Sequence, residues 1–139
     1  MSIIGIIGQY SALALHTFPC YSRVAGESME HMKKVKIREL NDDFRKRLSG
    51  KGQFFITSGV GALPINELHD LVTKMVEFDD FTERNDPYGE HDFGVIKLGK
   101  ETYYWKIDYY APDMLHGSED PSNEELTVRV LTLMRANEY

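Results

Sequence analysis

The sequence predicts an α+β domain: a small, mainly antiparallel sheet of about three strands with helices packed on it. Apolar residues recur at helical spacing after Met32 and again after Pro64, while β-branched and aromatic runs occupy residues 53–58, 92–98 and 101–110. The resulting order of helix, strand, helix, strand, strand and a final helix is that of an α+β fold.

The amino-terminal stretch stands outside this pattern. Met1 to Leu15 is apolar but has no Lys or Arg before it, and Gln9, Tyr10 and Ser11 interrupt it. That is a poor match to a signal peptide and short of the roughly 20 residues a membrane span needs. Residues 1–31 are therefore expected to be a poorly ordered, flexible extension, and residues 32–139 a single domain.

In the first helix Ile37, Leu40, Phe44 and Leu48 share a face, ringed by Lys33, Lys34, Lys36, Arg38, Arg45, Lys46 and Arg47, and Gly50 and Gly52 stop the pattern. A basic, solvated outer face follows. Gln53 to Ser58 reads as a short buried strand, broken by Gly59-Val60-Gly61 before Pro64 opens a second helix with Ile65, Leu68, Val72 and Met75 on one side. The glycines lack the spacing of a dinucleotide or phosphate loop, so they read as a turn in which glycine supplies positive φ. A small-ligand site there is the weaker reading.

Asp92 to Leu98 and Glu101 to Tyr110, separated by Gly99-Lys100, read as an antiparallel hairpin. Period two puts Tyr103, Trp105, Ile107 and Tyr109 on a core face and Tyr104, Lys106, Asp108 and Tyr110 on the other. Farther on, Ser122 with Glu125 forms a possible capping box, or Asp120 caps with Pro121 in the first turn; Leu126, Val130 and Leu133 then fit a last helix.

Composition bounds the function. The 139 residues suit one domain, and 42% apolar with 27% charged residues is ordinary for a packed core. The formal charge of −6 is uneven: residues 1–50 carry eight Lys/Arg against five Asp/Glu, residues 51–139 eight against seventeen. Such a balance argues against direct nucleic-acid binding, where cationic contacts to phosphate dominate, and favours a basic partner or a cation. The lone Cys20 permits no intramolecular disulfide, so a reducing cytoplasm is the simplest compartment.

The densest polar segment runs from Glu77 to Asp92, with Asp79, Asp80, Glu83, Asp86 and Glu90 between. Crowded carboxylates raise one another's pKa or recruit a cation, and Asp86, Glu90, His91, Asp92 and Asp108 have oxygen and imidazole donors for a divalent metal ion. Their spacing matches no EF-hand or zincin helix. The structural alternative is turn chemistry: Asn85-Asp86-Pro87-Tyr88-Gly89 side chains accept backbone donors, and Glu90 or Asp92 pair with Arg84, Lys97 or Lys106. With no nucleophile elbow and no Cys–His pairing in context, a protein-interaction surface of Asp86, Glu90, His91, Tyr104, Asp108 and Tyr110 is the leading expectation.

The blocks Ile37 to Arg45, Phe78 to Phe81, Asn85 to Pro87, Gly89 to Gly94, Trp105 to Tyr110, Gly117 to Pro121 and Arg129 to Thr132 together resemble a family of short proteobacterial and phage proteins catalogued only as a domain of unknown function, number 3768. The resemblance covers about residues 33–139. It implies plasmid- or phage-derived contexts and brings no established activity.

The expectation is thus a non-enzymatic cytoplasmic binding protein without a cofactor, a mobile-element accessory or counter-defence factor that inhibits a host protein; mimicry of DNA by its carboxylates is one version. Its partner would be a host or phage protein. The alternative is a metal-assisted hydrolase built on Asp86, Glu90, His91, Asp92 and Asp108.

Overall fold

The computed structural model describes residues 3–6 and 28–139, which form helices packed on one face of a mixed sheet. Strand β1 is Ile3–Ile6, helix α1 Met29–Arg47, strand β2 Gln53–Thr57, the one-turn helix α2 Ser58–Gly61 and helix α3 Ile65–Val76. Strands β3 (Phe93–Leu98), β4 (Glu101–Tyr110) and β5 (Val128–Arg135) follow. Four of the strands lie between residues 53 and 135, in place of the expected three, and Ile3–Ile6 adds to their edge, giving the order β1-β2-β5-β4-β3. Among the described residues only the β2–β5 pair is parallel.

The amino-terminal residues set aside from the fold therefore include one sheet element, since Ile3–Ile6 pairs antiparallel with β2, Ile3 opposite Thr57. Residues 7–27, which carry most of that extension together with Cys20, lie outside the described residues.

α1 starts where Ser28 accepts a hydrogen bond from the His31 amide, and ends where Leu48 takes φ 50° and its N–H returns to the Phe44 carbonyl. The terminator is Leu48 and not Gly50. Gly52 is needed for a different reason: a Cβ there would stand 2.2 Å from the Phe44 ring. In α3, Leu71 and Met75 are buried while Ile65 is 81% exposed, so the buried face is rotated from the one the sequence predicts.

The final helix expected around Leu126, Val130 and Leu133 is a strand. One turn of 3₁₀ helix at Glu124–Leu126, capped by the Asn123 side chain, leads into β5, and Asp120 instead accepts from the amide and hydroxyl of Ser122. β5 lies at the centre of the sheet with every residue from Arg129 to Met134 buried. A strand buried on both faces loses its polar–apolar alternation, so its apolar spacing also fits a helix.

The β3–β4 hairpin is as expected: Gly99 has φ 62°, suiting the first central position of a tight hairpin turn. Tyr103, Trp105 and Ile107 point into the core with Ile56, Leu131 and Leu133, against Phe44, Val60, Leu71 and Met75. The opposite, outer face carries Gln53, Phe55, Val130, Thr132, Met134, Lys106, Asp108 and Tyr110, which line a hollow of about 520 Å³ together with Met114, Glu138 and Tyr139. Among the described residues no helix is long and apolar enough to cross a membrane.

Candidate functional site

The polar residues singled out from the sequence fall into two groups on opposite sides of the sheet. Asp86, Glu90 and His91 lie on the α1 side; Tyr104, Asp108 and Tyr110 lie on β4's outward face, each half-buried.

The first group is organised from α1. Asn41 stands four residues after Ile37 on the apolar stripe and is fully buried, its Nδ2 donating to the Tyr109 hydroxyl at 2.7 Å and the Glu90 carbonyl at 2.9 Å. Arg129 Nε of β5 donates to Asn41 Oδ1 at 2.7 Å, and another guanidinium nitrogen to the Pro121 carbonyl at 2.6 Å. Tyr109 in turn donates to Glu90 Oε2 at 3.0 Å. Arg129, Asn41, Tyr109 and Glu90 thus form a chain in which each donor has a defined acceptor. Burial, with the neighbouring Glu90 and Asp92 charges, raises the Tyr109 pKa although the Asn41 bond opposes it, so the phenol stays neutral and donates. Burial also lowers the Arg129 pKa.

Asp86, 8% exposed, shapes the acidic loop: its Oδ1 accepts the backbone amides of Glu90 at 3.0 Å and His91 at 3.1 Å. Those bonds support the left-handed backbone of Gly89 (φ 67°) and His91 (φ 55°). The His91 ring stacks on Phe81 with centroids 3.7 Å apart, its Nδ1 2.9 Å from both Asp42 carboxylate oxygens and its Nε2 3.6 Å from Asp86 Oδ2. Asn85 closes the loop's start, accepting from the Thr82 amide and donating to the Asp80 carbonyl.

Arg45, assigned from sequence to the basic outer face, is instead 1% exposed. It donates to the Met75 and Val76 carbonyls at the end of α3 and to Asp42, and its guanidinium lies over the Phe81 and Trp105 rings. An arginine suits this place because it can satisfy helix-terminal carbonyls while stacking on aromatics.

Asp92 is held differently. Its carbonyl accepts the Ile107 amide, and its carboxyl pKa is raised, chiefly by burial and then by Glu90, with Asp86 and Asp108 adding to it. The pairings considered from sequence are replaced: Glu90 takes Tyr109, and Lys106 pairs with Asp108 at 2.9 Å. Asp86, Glu90, His91, Asp92 and Asp108 do not converge on one point, because Asp108 faces the outer hollow; among the described residues no three or more His, Cys, Asp or Glu are grouped as a metal ion would need.

The Gly59 to Gly61 segment is also occupied from within. Glu138 accepts the Thr57 hydroxyl at 2.7 Å, the Gly59 amide at 3.2 Å and the Arg135 amide at 3.0 Å, and these bonds lower its pKa against the opposing effect of burial. Neither glycine has positive φ; a Cβ at Gly59 would meet the Glu138 carboxylate at 2.5 Å. The amide a ligand's phosphate would use there is bonded to the protein's own carboxylate.

Asn41, Asp42, Arg45, Phe81, Tyr109 and Arg129 are the organising residues that sequence reading missed. Asn41 had a visible sign, a polar residue on the Ile37 to Leu48 stripe. Arg129 had none, because its partners lie 88 positions before it and eight residues upstream.

Residues 56–138 match the model of a family described as "Protein of unknown function (DUF3768)", and the chain belongs to that family. No curated protein and no solved structure matches it.

Proposed function

We propose that this member of a family of unknown function is a non-enzymatic binding protein that engages a protein partner in the cytoplasm through the outer face of its sheet. The observation that carries the reading is the hollow of about 520 Å³, floored by Phe55, Val130 and Met134 and edged by Tyr110, Lys106 and Asp108. An apolar floor with aromatic and charged margins is the anatomy of a surface that anchors a side chain from a partner. The acidic loop supports it differently: Asp86, Glu90 and His91 are engaged by bonds within the molecule, which suits a scaffold for the sheet better than reacting groups. Of the six residues expected to form the surface, Asp108 and Tyr110 line the hollow, and Tyr104 is on the same face, packed on Phe93 and Tyr139.

The plasmid and phage setting implied by the resemblance makes a host protein the partner class, with inhibition of that protein as a counter-defence act. A photo-reactive side chain at position 110, expressed in the native host, should cross-link one protein. Once purified, that protein should bind the chain at least about tenfold more weakly after Tyr110→Ser or Asp108→Lys, and equally well after Asp79→Asn in the acidic loop. Equal binding by all variants, or no cross-linked protein, would overturn the reading.

A further inference from the structure

We propose that the free edge of β3 is a docking site for a second copy of this chain, the two sheets joining antiparallel about a two-fold axis at Val95. Among the described residues β3 ends the sheet, with β4 as its single strand neighbour. The Ile107 amide bonds to the Asp92 carbonyl, and the β3–β4 register continues from there with Phe93 opposite Lys106. In an antiparallel ladder hydrogen-bonded and non-hydrogen-bonded positions alternate, so residues 94, 96 and 98 turn their backbone groups to β4. The N–H and C=O groups of Phe93, Val95 and Lys97 therefore point away from the sheet. Such a row is a template for another strand.

Three features select a second copy over a foreign peptide. A two-fold axis at Val95 sets Phe93 opposite Lys97 of the copy and Val95 opposite itself, so each residue with outward backbone groups meets one of the same kind. On the outer face, Val95 is 37% exposed and would pack on its counterpart. Lys97, which blunts the edge against an apolar foreign strand, would meet Phe93 of the copy, whose ring is already packed with Tyr104 and Tyr139.

This inference is independent of the outer-face reading, since the β3 edge is not part of the hollow's lining. Sedimentation of the full chain from about 1 to about 300 µM should show a monomer–dimer equilibrium. Val95→Lys, which puts like charges on the axis, and Lys97→Glu, which removes the cation facing the copy's Phe93 ring, should each raise the dissociation constant by about tenfold or more, with melting at low concentration unchanged. Val95→Pro, which removes an outward N–H and no bond to β4, should do the same. A monomer throughout the range would overturn the proposal. So would a dimer whose constant is the same in all three variants, because the copies would then meet elsewhere.

Discussion

Asn41 shows how a single amide side chain can hold three distant segments, bonding Arg129 through its oxygen and both Tyr109 and Glu90 through its nitrogen. Replacing it by Ala would leave the Arg129 guanidinium and the Tyr109 hydroxyl short of partners in a buried place. Asn41→Ala should therefore lower unfolding free energy by about 2–4 kcal/mol in urea denaturation, more than the lost volume alone would cost. Asp92 should behave in the opposite sense. Its folded-state pKa is raised above the ordinary 3.8, so its stabilising contribution is complete below that value and disappears as pH rises through the folded pKa. Asp92→Asn should accordingly be more stable than the parent at pH 7, and the advantage should shrink as pH falls through the raised folded-state pKa and be gone below the ordinary 3.8; thermal melting across pH 3–8 reads this directly. An advantage that persisted undiminished at pH 3 would assign the effect to something other than titration.

Among the elements, β5 and α3 test the packing most sharply. Leu131 is fully buried at the middle of the central strand, and Leu131→Ala should cost about 2–5 kcal/mol. Ile65→Ala should change stability by no more than about 0.5 kcal/mol, because Ile65 faces solvent although periodicity placed it with Leu68, Val72 and Met75. The same two elements mark what was legible beforehand. The β3–β4 hairpin could be read to within a residue, since one face of β4 alternates cleanly and a glycine marks the turn. α1 and β2 were legible for similar reasons. β5 was not: doubly buried strands and buried helices share an apolar run, and only its pairing with β2 and β4 distinguishes them here. The site was half legible. The loop's turn chemistry was anticipated at Asn85 and Asp86, and the outward face of β4 was assigned correctly by alternation. Arg45 was misplaced because a charged residue in a basic run looks solvated until the α3 carbonyls it caps are brought beside it.

At the scale of the whole molecule, one core couples the three α-helices to all the strands from β2 to β5, and the Arg129 chain ties β5 to α1 and the acidic loop. Unfolding should be a single cooperative transition. Trp105, the sole tryptophan and fully buried, gives a probe of the core whose urea midpoint should coincide with that of far-UV circular dichroism. Separate midpoints would mean that the hairpin and the β1–β2 side unfold independently. The position of β5 has a further consequence during synthesis. The strand at the sheet's centre is the last of the five to leave the ribosome, so β2 and the β3–β4 hairpin emerge as two fragments, each with an apolar edge awaiting the same missing partner. The nascent chain must keep those edges apart until residues 128–135 arrive, which makes the interval before β5 emerges the period when it most needs a chaperone.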